Sequence, residues 1–259
     1  MKFIVCSPRR SPIVIASVLL GLGIVFGILR AQNQPPKDLP VQKPSSLYLD
    51  TNQPIDKRVE DLLGRMTLEE KISQIHGNSM FTTPAIPRLG IPVRWLTDGP
   101  QGVREDVGPF DWRTAGHTDD YATYMPALCS LASTWNLDLA TAFGNVLGQE
   151  SRKRGKDIVL GPIADITRTP LCGRVYEYFG EDPFLNARMS VNYIRGVQTN
   201  DVAACIKHFA GNNQDDIRFK CNAVGEERYW YEYEFPAYKA CVQEAHAASV
   251  MTDGQVPNH

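Results

Sequence analysis

Val202-Ala203-Ala204-Cys205-Ile206-Lys207-His208-Phe209 is the stretch on which the fold turns. An apolar run from Val202 to Ile206, bounded by polar residues, reads as a buried strand. Such a strand delivers Lys207 and His208 to its C-terminal end, with Asn212, Asn213 and Arg218 close behind. A lysine held there needs an acidic partner or an acceptor-rich ligand, and no acid adjoins Lys207 in sequence. Taken alone, a lysine reaching solvent from a strand edge is the simpler account. Recurrence of the pattern changes that.

Working outward, residues 91–96 predict a strand ending at Thr97-Asp98-Gly99-Pro100, and residues 157–160 another ending at Gly161-Pro162, with Asp165 and Arg168 beyond it. Residues 249–252 start one more. Helical spacing separates them. Val59, Leu62, Leu63 and Met66 share a face. Thr67 with Glu70 is a capping-box pair that starts a helix running to about His76. Leu137, Ala140, Phe143, Val146 and Leu147 predict a helix capped by Asn136, residues 184–197 another, and residues 226–247 a third that Pro236 must kink or divide. Strands alternating with helices imply a parallel sheet, with ligands beyond the strand C-termini. No glycine-rich phosphate loop is present, which favours closure into a (β/α)8 TIM-type barrel over an open doubly wound sheet.

The chain has 259 residues and a formal charge of −2, so nucleic acid is not an expected partner. Lys2, Arg9 and Arg10 precede an apolar stretch at residues 13–29, and the segment after it is rich in Pro and Gln. Residues 1–31 therefore read as a signal peptide or membrane anchor of an exported protein, 32–54 as a linker, and 55–259 as the folded domain. Five cysteines remain beyond Cys6, an odd number without metal spacing, and buried free thiols are expected. The histidines, His76, His117, His208, His246 and His259, show no ligand spacing, which argues against a metal-dependent hydrolase.

Three strings then read together, in this order: Thr97-Asp98-Gly99-Pro100-Gln101-Gly102-Val103-Arg104; Gly173-Arg174 with Glu177-Tyr178-Phe179-Gly180-Glu181-Asp182-Pro183; and Lys207-His208-Phe209-Ala210-Gly211-Asn212-Asn213-Gln214-Asp215-Asp216-Ile217-Arg218. Over residues 56 to 252 the chain closely resembles glycoside hydrolase family 3, the family of many β-glucosidases and β-xylosidases. The resemblance implies a retaining hydrolase that releases terminal non-reducing β-D-glucose from a β-glucoside or oligosaccharide, with no metal or organic cofactor. It implies that Asp98 accepts from sugar hydroxyls and that Arg104, Arg174, Lys207, His208 and Arg218 are donors around the same ring. An ionised carboxylate suits that task because it accepts from two neighbouring hydroxyls at once. Alone, each residue has a plainer use: Asp98 capping a turn, Arg174 paired with Glu177 or Glu181, Arg218 paired with Asp215 or Asp216. Glu181-Asp182-Pro183 is expected to start the next helix. Trp95, Trp112 and Trp230 are expected in the core rather than against sugar.

The family takes its nucleophile from a Ser-Asp-Trp-like motif after the strand at Ser249, and its acid/base from a glutamate further on. Neither motif occurs before His259, and Gly254 stands where the family places a tyrosine. The expectation is a barrel without its last strands, holding sugar-recognition groups and no catalytic carboxylate. An exported sugar-binding pseudoenzyme, or a β-xylosidase of the same family, are the alternatives.

Overall fold

The computed structural model describes residues 46–116, 121–253 and 256–258; the expected export segment, most of the linker, His117, Gly254 and His259 lie outside them. No helix of the described residues is long and apolar enough to cross a membrane. The chain divides into two compact units, one ending at Arg65 and the other starting at Met66. In the first, helix Ile55–Arg65 carries a 3-10 turn, Leu47–Leu49. Arg58 Nε donates to the Tyr48 carbonyl at 2.9 Å, and Asp61 accepts from the Tyr48 N–H at 3.0 Å.

The second unit opens with helix Leu68–Gln74, where Thr67 and Glu70 form the expected capping box. The strands that follow are β1 (Thr82–Thr83), β2 (Arg94–Asp98), β3 (Ile158–Leu160), β4 (Ala203–Phe209), β5 (Asn222–Val224), β6 (Ser249–Thr252) and β7 (Val256–Asn258). Among the described residues the main sheet runs β1-β2-β3-β4-β6, and β5 and β7 form a separate pair. β1 is antiparallel to β2, while β2, β3, β4 and β6 are mutually parallel neighbours. This is a mixed α/β sheet with every parallel strand ending on the same side.

β2 begins at Arg94 and not at Ile91 for a local reason. Ile86 and Ile91 exchange backbone hydrogen bonds at 2.9 and 3.1 Å across the 3-10 turn Pro87–Leu89, and Pro92 has no N–H to give. β4 is buried from Ala204 to His208 on both faces, so its apolar run shows no alternation. The helical stretch before β6 is divided as expected, in an unexpected form. A π turn at Trp230–Glu234 precedes helix Phe235–Gln243, and Pro236 occupies the first turn of that helix, where a missing N–H costs nothing.

Helices Leu137–Lys153 and Pro183–Gln198 pack against each other over the sheet, the first capped by Asn136 as expected and the second by Asp182, whose side chain accepts from the Leu185 N–H at 2.6 Å. Both helices contribute glycine at their crossing. A Cβ on Gly196 would stand 2.1 Å from the Thr141 carbonyl oxygen and 2.7 Å from the Asn145 nitrogen, both backbone atoms that cannot swing aside. Gly196→Ala is therefore expected to force the helices apart and cost about 2–3 kcal/mol, lowering Tm by roughly 5–10 °C. Calorimetry checks this, and an unchanged Tm would contradict the close approach.

Candidate functional site

Parallel register brings residues far apart in sequence to one end of the sheet. Asp98 stands opposite Leu160, and Ile158 opposite Ala203, so the ends of β2, β3 and β4 are adjacent. Gly99, at φ 98°, turns the chain away from β2; a Cβ there would meet the Gly102 carbonyl oxygen at 2.3 Å. A cleft of about 960 Å³ opens over this end. All six sequence-predicted residues line it: Asp98, Arg104, Arg174, Lys207, His208 and Arg218. Phe81, Trp112, Tyr124, Tyr176 and Phe219 supply its apolar surface.

The acidic partner that Lys207 lacks in sequence is Asp98, 109 residues away: Lys207 Nζ donates to Asp98 Oδ1 at 2.7 Å. Lys207 is buried, with 3% of its side chain accessible, while Asp98 retains 25%. Burial by itself would push the Asp98 carboxyl up, but the charge and hydrogen bond of Lys207 outweigh it, helped by the Gly99 N–H and Arg174. The net effect holds Asp98 below its ordinary value. It is thus an ionised acceptor with lone pairs to spare, facing the cleft.

His208 is set by a carboxylate beneath it. Fully buried Asp165 accepts from the backbone N–H groups of His208 and Asn212 at 2.9 and 3.1 Å. His208 Nδ1 is 3.1 Å from Asp165 Oδ2, and the Tyr238 hydroxyl is 3.2 Å from Oδ1 and 2.8 Å from the His208 carbonyl. A proton on Nδ1 satisfies that carboxylate and leaves Nε2 to accept when the ring is neutral. Tyr238 is held far from ionising by burial and then by the Asp165 charge.

Arg174 and Arg218 reach the cleft already paired. Arg174 makes a fork to Glu177, with Nε and Nη2 at 3.1 and 2.7 Å, and a third contact to Asp215 at 3.4 Å. Arg218 Nη1 donates to Asp215 Oδ2 at 2.8 Å. Burial disfavours the Arg174 guanidinium charge, yet Glu177 and Asp215 more than offset this and hold it above its usual value. The plainer pairings weighed for these two arginines thus hold together with their place in the cleft. Arg104 is exposed, its guanidinium 4.5 Å from the centre of the Trp112 ring, whose edge packs on Phe81.

Other expectations need correction. Trp230 is core, 1% exposed, but Trp112 is 56% exposed at the cleft and Trp95 is 44% exposed beside buried Lys156. That lysine is ion-paired with Asp106. Arg168 lies over the Tyr229 ring at 4.4 Å, outside the lining of this cleft. Asp165, Glu177 and Asp215 carry more of the site than their sequence neighbourhood suggested. The only signal for Asp165 in the sequence is its position just past a strand, and nothing there marks the four bonds it takes from His208, Asn212 and Tyr238. The five described cysteines beyond Cys6 are free thiols; Cys172, Cys205 and Cys241 are buried, and burial pushes Cys241 up to about 12.

The glycosyl hydrolase family 3 N terminal domain matches residues 67–257, and the chain belongs to that family. A beta-glucosidase of Bacteroides ovatus is 49% identical over 205 residues, covering 79% of this chain and 27% of that protein. An exo-alpha-(1->6)-L-arabinopyranosidase of Bifidobacterium longum is 35% identical over 190 residues, covering 72% of this chain and 25% of that one. Among solved structures, beta-glucosidase 3B from Thermotoga neapolitana in complex with alpha-D-glucose superposes with a TM-score of 0.70 at 34% identity, covering 78% of this chain and 30% of that chain. The chain spans about a quarter of the length of the curated relatives it matches.

Proposed function

We propose that this chain is the sugar-gripping part of a β-glucosidase-like enzyme that releases terminal non-reducing β-D-glucose with retention. The observation that carries this reading is the Asp98–Lys207 pair at 2.7 Å, joining two strand ends at the floor of a cleft also lined by His208, Arg104, Arg174 and Arg218. In this reading the parallel strands β2, β3, β4 and β6 are the first part of a (β/α)8 barrel. Asp98 accepts from neighbouring sugar hydroxyls, and the surrounding cations donate to others. Relatives named as beta-glucosidases, and the glucose complex of the Thermotoga enzyme, support a glucoside as the ligand. The basic start and apolar run at residues 2–29 support an exported location.

Retaining hydrolysis needs a free nucleophilic carboxylate and a proton-donating one about 5–5.5 Å apart. Asp98, Glu177 and Asp215 are each tied to a cation, which suits them to binding rather than proton transfer. We therefore expect the 259-residue chain alone to bind glucose with Kd of about 1 mM, roughly −4 kcal/mol, without turning over a nitrophenyl β-glucoside. Calorimetric titration with glucose, xylose and arabinose tests this. Saturable glucose binding supports it; a stable chain that takes none of the three sugars sinks it, and preference for xylose would favour the β-xylosidase alternative.

A further inference from the structure

Glu234 is a buried carboxylate, away from the cleft, that carries no ion pair among the described residues. It is fully buried at the end of the π turn, together with Trp230, while Tyr231, Glu232 and Tyr233 between them are exposed. Glu234 Oε1 accepts from Asn213 Nδ2 at 3.0 Å and from the Tyr229 hydroxyl. Neither Glu234 Oε2 nor Asn213 Oδ1 has a hydrogen-bond partner among the described residues.

We propose that Glu234 is a positioning residue that holds, through Asn213, the 211–218 loop carrying Asp215 and Arg218. The part of this that concerns ligand affinity rests on the reading of the cleft as a sugar site; the part that concerns the loop does not.

The loop is pinned on two sides. On one, the Asn212 N–H binds Asp165 at 3.1 Å, and the Asn212 side-chain amide reaches Asp215 at 3.3 Å. On the other, Asn213 is tied to the π turn by Glu234. Asp215 then sets both Arg174 and Arg218. Release of Asn213 frees one of the two anchors of that arginine pair.

The surroundings shift Glu234 toward its neutral form. The charged and titratable groups facing Glu234 are Tyr229 just before its turn, Arg168 and Asp165 from the segment after β3, and Tyr238 from the following helix. Burial dominates and disfavours a charge; the Tyr229 and Asn213 hydrogen bonds and Arg168 favour one; Asp165 opposes it. The balance lies above the ordinary carboxyl value of 4.5. A proton held more tightly in the folded chain contributes stability that is full below 4.5 and is lost as pH rises through the raised value.

The test compares the full chain with Glu234→Gln, Glu234→Ala and Asn213→Ala, by hydrogen exchange of residues 211–218 from pH 5 to 8 and by glucose titration. Exchange in the loop, corrected for intrinsic rates, should rise with pH in the parent and stay flat and slow in Glu234→Gln. It should be at least tenfold faster in Glu234→Ala and Asn213→Ala, with helix Leu137–Lys153 unaffected. Glucose should bind Glu234→Gln within about twofold of the parent and the two alanine variants at least about tenfold more weakly. Asn213→Ala removes the link and leaves the buried acid in place, so it decides the matter if Glu234→Ala does not fold. The proposal is overturned if the loop exchanges alike in all four proteins, if Glu234→Gln keeps the parent's pH dependence, or if Glu234→Gln loosens the loop as alanine does. A parent that binds no glucose defeats the sugar reading, and the exchange measurements then still decide the role of Glu234.

Discussion

Asp98→Ala is expected to abolish measurable glucose binding. The carboxylate is held ionised beside Lys207 and faces the cleft with unused lone pairs. Hydrogen bonds to a charged acceptor are worth about 1.5–3 kcal/mol each, so losing two of them weakens binding by a factor on the order of 10²–10⁴. Folding suffers as well. Lys207 has 3% of its side chain accessible, and without Asp98 its charge is left buried and unpaired, a change that costs about 3–5 kcal/mol in such settings. Lys207→Met with Asp98→Ala removes the stranded charge and should restore part of the stability without restoring binding. The pH dependence has a definite sign. The Asp98 carboxyl titrates below its ordinary 3.8 in the folded chain, so its contribution is present above 3.8 and is lost as pH falls through the lowered value. Titration calorimetry and thermal melts of both variants check this; glucose affinity within threefold of the parent in Asp98→Ala would end the assignment, since it is far below the ~100-fold minimum expected from two lost charge-assisted bonds.

Asp165→Ala is expected to destabilise the second unit strongly. It removes the acceptor for the His208 and Asn212 backbone N–H groups and for the His208 ring, while the Tyr238 hydroxyl keeps the His208 carbonyl, all inside a fully buried site. A buried donor left unsatisfied costs about 1–3 kcal/mol, and the lost bonds here act together, so a total on the order of 4 kcal/mol is expected. For a domain of this size that corresponds to a fall in Tm of roughly 10 °C. Asp165→Asn keeps the volume but turns an amide donor toward groups that are themselves donors, so it should recover little. A melt of Asp165→Asn matching the parent would show that the carboxylate is not the hub its geometry describes. The His208 ring is the second readout. Without Asp165 its Nδ1 has lost the partner that selects the tautomer, and the ring nitrogen signals in an NMR spectrum should shift accordingly.

Part of this was legible from residue order. Capping chemistry is local, so Thr67 with Glu70, Asn136 and Asp182 marked true helix starts. An apolar run too short for a helix marked β4, because a strand buried on both faces does not alternate. Alternation of strands and helices implies a parallel sheet, and a parallel sheet collects strand ends on one side, which is why residue order alone puts Asp98, Lys207 and His208 at one end.

What residue order left open was pairing. Hydrogen bonds and ion pairs depend on distance in space, and the partners here are separated by 109 residues for Lys207 and Asp98, 43 for His208 and Asp165, and 41 for Arg174 and Asp215. No periodicity encodes such separations, so only the assembled sheet decided that Asp98 is the counter-ion of Lys207, that Asp165 sets His208, and that Asp215 joins two arginines. Burial of polar groups follows the same logic: Asp165 and Glu234 look in sequence like any surface acid, and only the packing of the elements around them takes them out of water.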